Sequence, residues 1–395
     1  MSAIRIKASL SATSKPSCNA SSIGRSSTAF VSRVEGLLAG PLPSRITLAP
    51  MIAVAQVGGA LTVEQAVGLV RMLMTGAVPP EEIAALLSGL HRKGETVEEI
   101  AAFALTMRAA ATPVRPKVSG AIGDTCGTGG DASRTVNAST AAALVLAAAG
   151  VPVAKHGNRA LTSACGSADV LEALGARVDL GPQAVERCIE QASFGFLFAP
   201  RFHPATRYVQ PVRKQLPHKT IFNLLGPLTN PAPVAVQLVG VYDEQWVEPM
   251  AEVLRLLGRR RALVVHGRTE SGSGGIDECS LSGSTMFALL DESGAIRCGA
   301  IAPEDVGMAR ADVRELVGGD SVFNARVIAA MLRGEERGAR RDFLVLNGAA
   351  ALWAAGVASD LSAGVKRAAE LIDGGAAYQK LQQFVRATQQ ETAGT

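Results

Sequence analysis

The run Asp124-Thr-Cys-Gly-Thr-Gly-Gly-Asp131-Ala-Ser-Arg-Thr-Val-Asn137-Ala-Ser139-Thr140 constrains this chain more than any other stretch. Gly127, Gly129 and Gly130 stand just ahead of an alanine-rich helical pattern, Ala141 to Ala149. Glycine takes positive φ without steric cost and leaves backbone N–H groups uncovered. A helix N-terminus adds further unpaired N–H groups, and the two together make a ready anion site. After a turn at Gly150, the short apolar run Val151 to Ala154 leads into Lys155-His156-Gly157-Asn158-Arg159. The local reading is a pocket for a phosphate-bearing ligand, built on a loop-to-helix junction. The glycines alone do not decide it. They lack the Gly-Lys-Ser/Thr ending of a P-loop and the Gly-x-Gly-x-x-Gly spacing, and a plain glycine-rich connection into a capped helix would look the same.

A chain of 395 residues exceeds the usual single-domain size, so two domains and a large core are expected. From Leu61 to about Ala110 the pattern is helical, with Ala66, Leu69, Val70 and Leu73 on one apolar stripe. Thr62 with Gln65 and Thr96 with Glu99 read as capping boxes, and Pro79-Pro80 ahead of Glu81 reads as another helix start. Pro113 and Pro116 mark a linker. Beyond it, expected strands (Val151–Lys155, Val236–Val241, Ala262–His266) alternate with expected helices (Ser167–Leu174, Pro182–Gln191, Trp246–Leu257). That alternation predicts an α/β domain with a mainly parallel central sheet. The tail from Asp342 to Val385 reads as helical, broken at Gly348, Gly356 and Gly374-Gly375. Arg259-Arg260-Arg261 is expected at a helix C-terminus, where cations are favourable. The expected division is a leader over 1–50, a small all-helical domain over 51–116 joined by part of 190–235, and an α/β domain over 117–395.

With 39 basic and 35 acidic residues, the net charge of +4 is too small to argue for nucleic acid. No apolar run approaches the roughly twenty residues of a membrane span. The six cysteines show no C-x-x-C spacing, which favours reduced thiols over zinc or disulfides. Residues 1 to 34 hold no Asp or Glu and are rich in serine, with Arg5, Lys7, Lys15, Arg25 and Arg33. That composition suits either a transit peptide, which would place the protein in a plastid, or an extension on a cytoplasmic enzyme.

The order Gly-Thr-Gly-Gly-Asp, Asn-x-Ser-Thr, Lys-His-Gly-Asn-Arg is far more specific than its parts. From about Met51 to the C-terminus the chain resembles the anthranilate phosphoribosyltransferases of tryptophan biosynthesis. The resemblance implies a fold of the nucleoside phosphorylase/phosphoribosyltransferase type, a homodimer, and transfer from phosphoribosyl pyrophosphate (PRPP) to the amine of anthranilate with Mg²⁺. It assigns PRPP to Gly127, Thr128, Gly129, Gly130, Asp131, Thr135, Asn137, Ser139, Thr140, Lys155, Ser163 and Ser167. Anthranilate falls to Gly127, His156, Gly157, Asn158 and Arg213, and the metal to Ser139, Asp277 and Glu278. A guanidinium at Arg213 suits a carboxylate because it offers two parallel hydrogen bonds. No classical acid–base residue is implied, since a neutral aromatic amine is itself nucleophilic.

Two stretches depart from the family pattern. The link Arg268-Thr-Glu-Ser-Gly-Ser-Gly-Gly275 ahead of the acidic pair is longer than usual, and Leu216-Pro-His-Lys219-Thr220 replaces Leu-Gly-x-Arg-Thr. Two other readings share the scaffold. A pyrimidine nucleoside phosphorylase would need neither the acidic pair nor Arg213, and a nucleic-acid-binding relative would need a basic face.

Overall fold

The computed structural model describes residues 26–41, 48–131, 133–160, 164–270 and 274–391. Five helices come first: α1 (Ser27–Ala39), α2 (Leu48–Gln56), α3 (Val63–Leu73), α4 (Pro80–Lys93) and α5 (Val97–Ala109). Both capping boxes form, Thr62 with Gln65 and Thr96 with Glu99, each pairing backbone and side chain reciprocally. α4 carries Glu81 and Glu82 in its first turn and His91, Arg92 and Lys93 in its last, charges that complement the helix dipole. Phe30 and Val34 of α1 are buried in the same core as Leu69, Leu86 and Phe103. Helix α1 and the start of α2 therefore belong to the folded body, and the leader expected through residue 50 does not extend over them. Their apolar spacing offsets the basic, serine-rich composition that suggested otherwise.

The rest of the chain runs β1 (Ile122–Gly127), α6 (Ala138–Ala148), β2 (Val153–Gly157), α7 (Ser167–Ala173), α8 (Pro182–Ala192), β3 (Phe194–Phe198), α9 (Ala199–Phe202), α10 (Gln210–Gln215), α11 (Ile221–Leu225) and β4 (Val234–Gly240). It continues through α12 (Val247–Leu256), β5 (Arg261–Arg268), β6 (Gly275–Ile276), β7 (Thr285–Leu290), β8 (Ile296–Ile301), α13 (Ser321–Leu332), α14 (Ala339–Ala354), α15 (Leu361–Asp373) and α16 (Ala376–Gln390). The sheet order is β3-β2-β1-β4-β5-β7-β8, with β6 also paired to β5. The pairs from β3 to β5 are parallel, while β6, β7 and β8 are antiparallel. Strand order reverses between β1 and β4, so the carboxyl ends of these two strands border the crevice where ligands of open α/β sheets bind.

One face of the sheet is covered by α6, α8, α14 and α16, around Leu144, Val145, Phe194, Phe343 and Phe384. On the other, Met250 and Leu254 of α12 pack with Val239, Val264 and Leu290. That second core also takes in Leu86, Leu90 and Phe103 of the helical lobe, and Val212, Leu224 and Leu228 of the 209–228 stretch.

Two local expectations fail. Gly348 does not break the tail; it lies inside α14, where a Cβ would stand 3.2 Å from Val145 and 3.4 Å from Ala368. A small residue there lets three helices approach closely. The arginine triplet also divides its work. Arg259 is buried and donates to Gln237 Oε1 at 3.0 Å and the Val234 carbonyl at 2.8 Å. Arg261 lies on β5 and donates to the Trp353 and Ala354 carbonyls, so it caps α14 rather than α12. Among the described residues, Cys126, Cys165, Cys188 and Cys279 are free thiols.

Candidate functional site

β1 stops at Gly127, and the loop passes through Gly129 and Gly130 at φ of 68° and 77°, a region open to glycine at little cost. The turn is fastened to β4: Thr128 N–H donates to the Gly240 carbonyl at 3.0 Å, and its hydroxyl accepts from Tyr242 N–H at 3.0 Å. Asp131 faces inward along the loop. Its Oδ2 accepts from the Ser133 hydroxyl at 2.6 Å and from Asp277 N–H at 3.2 Å. Thr135 makes an antiparallel bridge with Val317, and Val136 N–H donates to the Leu316 carbonyl. The Glu315–Asp320 stretch thus braces the loop from behind.

The acidic pair reaches this loop from β6. Gly275 and Ile276 pair with Arg268 and Gly267, a hairpin that fixes the register of the long link and returns the chain to the crevice. Room for Asp277 comes from two missing side chains on adjacent strands. A Cβ on Gly127 would lie 2.1 Å from Asp277 Oδ2, and one on Gly240 would lie 1.5 Å from the Asp277 carbonyl oxygen. Asp277 Oδ2 accepts from Gly129 N–H at 2.7 Å. Glu278 Oε1 accepts from Ser139 N–H at 2.9 Å, in the first turn of α6. Two amides expected to be open to phosphate therefore hold carboxylates. Burial, followed by the nearby Asp131, pushes Asp277 up to about 7. Burial, followed by Asp277 itself, pushes Glu278 up to about 8. Lys155 opposes the rise at Glu278, but among the described residues neither carboxylate makes an ion pair.

Lys155 is buried beneath the loop. Its ammonium donates to the Thr125 carbonyl at 2.6 Å and the Ser139 hydroxyl at 3.4 Å. Burial lowers its pKa, against the opposing pull of Asp124 and Glu278. Thr140 Oγ1 is buried without a partner, at the start of α6. Asn137 precedes α6 but makes no side-chain cap; it donates to the Cys165 carbonyl at 3.1 Å and accepts from Asn324 at 3.1 Å. Ser167 opens α7 and donates to the Asn158 carbonyl at 3.3 Å, next to Gly157, where a Cβ would meet its hydroxyl at 2.2 Å. Ser163 lies outside the described residues.

His156 N–H donates to Asp124 at 3.3 Å, and its Nδ1 lies 3.2 Å from the Gly226 carbonyl. Its ring meets that of His203 edge-on at 5.1 Å, and both Nε2 atoms are buried without partners. Burial holds His156 down to about 3 and His203 to about 4, so both rings are neutral. Arg213 donates to Gln210 at 3.2 Å and lies 5.2 Å from the centre of the Phe222 ring. Its Nε is buried without a partner, and burial lowers the guanidinium to about 10. His156 and Arg213 thus border one segment, Phe222 to Gly226. Asn158 sits at the end of β2 and spends its Oδ1 on Arg159 N–H at 2.8 Å.

Known proteins match this chain along most of its length. Residues 119–378 match the glycosyl transferase family a/b domain, and residues 52–111 match the helical bundle domain of that family. The anthranilate phosphoribosyltransferase of Rubrobacter xylanophilus is 50% identical over 332 residues, 84% of this chain and 95% of that protein. The chain belongs to the anthranilate phosphoribosyltransferase family. The enzyme of that name from Roseiflexus castenholzii is 49% identical over 83% of this chain and 94% of its own. The crystal structure from Thermus thermophilus is 44% identical and superposes with a TM-score of 0.79, covering 86% of this chain and 99% of that one. A Saccharomyces cerevisiae structure in complex with PRPP and Mg shares the fold, at 23% identity and a TM-score of 0.73 over 92% of this chain and 99% of that one.

Family motifs left out the residue that organises the floor of the site. Asp124 is wholly buried and accepts from Asn230 at 2.9 Å, Gln237 at 3.4 Å and the Cys126 thiol at 3.5 Å, besides His156 N–H. Desolvation raises its pKa, while Lys155 and these donors oppose the rise. Cys126 is pushed well up by burial and by Asp124, so it stays a thiol and is no nucleophile. An aspartate in mid-strand, with no charged neighbour in sequence, was the available signal for Asp124.

Proposed function

We infer that this chain transfers the phosphoribosyl group of PRPP to the amine of anthranilate, giving N-(5-phosphoribosyl)anthranilate and pyrophosphate. The observation that carries it is the carboxylate pair lodged against the amides of Gly129 and Ser139, inside a glycine loop at a helix N-terminus. Amides that grip carboxylates here have the geometry to grip phosphate oxygens. A phosphorylase would need no such pair and no buried arginine.

The donors suit Mg²⁺. Asp277, Glu278 and the Ser139 hydroxyl are hard oxygen ligands, and a bound cation would oppose the burial and mutual repulsion that raise the pair's pKa values. Among the described residues no group of three or more His, Cys, Asp or Glu could hold a metal. Mg²⁺ takes most of its ligands from water and substrate phosphates, so one or two carboxylates suffice. Bound there, it supplies neutralising charge to the departing pyrophosphate.

This chain's own groups do the rest. Asp277 and Glu278 would hold the cation, which would leave the amides of Gly129 and Ser139 to receive the diphosphate. Lys155, beneath Ser139, adds positive potential from within the fold. Arg213, with an unsatisfied Nε, binds the carboxylate of anthranilate by its guanidinium fork. Neutral His156 and His203 leave that arginine unopposed and wall the slot beside Gly157 and Asn158. No base is needed, since the amine attacks C1 while neutral and sheds its proton afterwards.

The same reading makes the protein a cytoplasmic homodimer joined through the helical lobe. Among the described residues no helix is long and apolar enough to cross a membrane. Loss of anthranilate fluorescence that requires both PRPP and Mg²⁺ is the expected result. Persistence of the fluorescence with both present overturns the assignment, and a monomer by light scattering overturns the dimer.

A further inference from the structure

Lys219 stands apart from every residue assigned above. It follows α10 on a segment pinned to the helical lobe. The His218 ring stacks on His91 of α4 at 4.3 Å between centres, with its Nε2 3.1 Å from the Ser88 hydroxyl and its Nδ1 2.8 Å from the Lys219 carbonyl. From that anchored backbone the side chain reaches across to the glycine loop. A Cβ on Gly130 would lie 3.3 Å from Lys219 Cε and 3.8 Å from its Nζ.

The ammonium sits 3.5 Å from the centre of the Tyr242 ring and makes no ion pair or hydrogen bond among the described residues. The Tyr242 ring is itself held. Its backbone N–H binds Thr128 of the loop, and its hydroxyl accepts from Trp246 Nε1 at 3.0 Å. Asp131, Asp277 and Asp243 all act on the ammonium without contacting it. A half-buried lysine resting on an aromatic face, in the field of carboxylates it does not touch, is short of an anionic partner. Cation–π attraction is weaker than a charge-assisted hydrogen bond to a phosphate oxygen. A phosphate seated at Gly130 would therefore draw the ammonium off the ring.

We propose that Lys219 is a phosphate-binding residue contributed from the helical-lobe side, which leaves the face of Tyr242 to close over the diphosphate held by the glycine loop. This rests on the phosphoribosyl-transfer reading and extends it. The diphosphate is gripped from two bodies, by loop amides and Lys155 on one side and by Lys219 on the other. Lysine serves here as a point charge on a flexible stem, so it can swing between ring and phosphate.

The test is calorimetric titration of Mg²⁺ with inorganic pyrophosphate, and of Mg²⁺ with PRPP, into the parent protein, Lys219→Ala and Lys219→Arg, with steady-state kinetics alongside. Lys219→Ala should weaken pyrophosphate binding and raise the KM for PRPP by about tenfold, the scale of one hydrogen bond to a charged group. The KM for anthranilate should stay within about twofold, and Lys219→Arg should recover most of the loss. Unchanged pyrophosphate affinity in Lys219→Ala, or equal rises in both KM values, overturns the proposal. Should that variant fail to fold, acetylation of lysines in the parent decides the matter. Pyrophosphate with Mg²⁺ should protect Lys219 and anthranilate alone should not; equal labelling in all states overturns it. A parent that binds no pyrophosphate sinks the transfer reading and the clamp together, whereas a parent that binds it only as well as Lys219→Ala does sinks only the clamp.

Discussion

Two sets of buried carboxylates lie a few residues apart in space, and the fold treats them in opposite ways. Asp124 is surrounded by donors, from Asn230, Gln237, Cys126 and the His156 amide, with Lys155 nearby as countercharge. Asp277 and Glu278 each have one amide donor from the loop or helix, face one another and Asp131, and have no cation in contact. The first arrangement holds strands together. The second keeps charge in a state that a bound cation would relieve. Burial alone therefore does not mark a carboxylate as functional; the number and sign of its neighbours does.

The largest effect should come from the second set. Asp277→Asn with Glu278→Gln is expected to cut kcat/KM by roughly a thousandfold or more, the scale of losing charge stabilisation at a leaving group, and added Mg²⁺ should not restore it. Near-parental kinetics would place the metal elsewhere. Asp124→Asn should do the reverse, costing about 3 kcal/mol of stability because an amide NH₂ would face existing donors. Denaturant titration checks this, and an undiminished midpoint would remove the distinction between the two sets. For Arg213→Ala, the KM for anthranilate should rise about thirtyfold with the KM for PRPP largely spared, as one partner of a charge-assisted pair is lost. Equal rises would mean a packing role for the arginine.

Smaller effects follow from pH. The folded values of Asp277 and Glu278, about 7 and about 8, lie above their ordinary 3.8 and 4.5. Their contribution is thus fully present below about pH 4, falls as pH rises between the unfolded and folded values, and is lost by about pH 8. The metal-free parent should lose melting temperature over that range, and the double amide variant should lose less. His156 and His203 work in the opposite sense. Their folded values of about 3 and about 4 lie below 6.5, so the unfolded chain binds protons that the folded chain refuses once pH drops under 6.5. Stability from these two rings is full above that point and declines toward pH 4. A flat melting profile for the parent on that acid side, matched by His203→Gln, would contradict neutral buried rings.

Much of this molecule was legible without coordinates, and the reasons are local. Thr62 with Gln65 and Thr96 with Glu99 announce helix starts because a cap needs only residues three apart. Gly129 and Gly130 announce a turn because their φ values are positive, and the alternation of apolar runs with helical patterns announces a buried, mainly parallel sheet. The motif order then pointed to the family, since the Gly-Thr-Gly-Gly-Asp loop, Arg213 and the Asp277-Glu278 pair occur in one chain.

Tertiary structure decided what depends on contacts between distant segments. It alone put Asp277 in the slot left by Gly127 and Gly240, set Lys155 under α6, and turned Arg261 toward α14. It drew α1 into the core despite its basic flank, and it carried Lys219 across to Gly130. Sequence spacing fixes which way a side chain leaves its own helix or strand. Which neighbour it meets depends on how sheet order and helix packing bring separate stretches of chain together, and those are set by burial of the whole apolar surface at once.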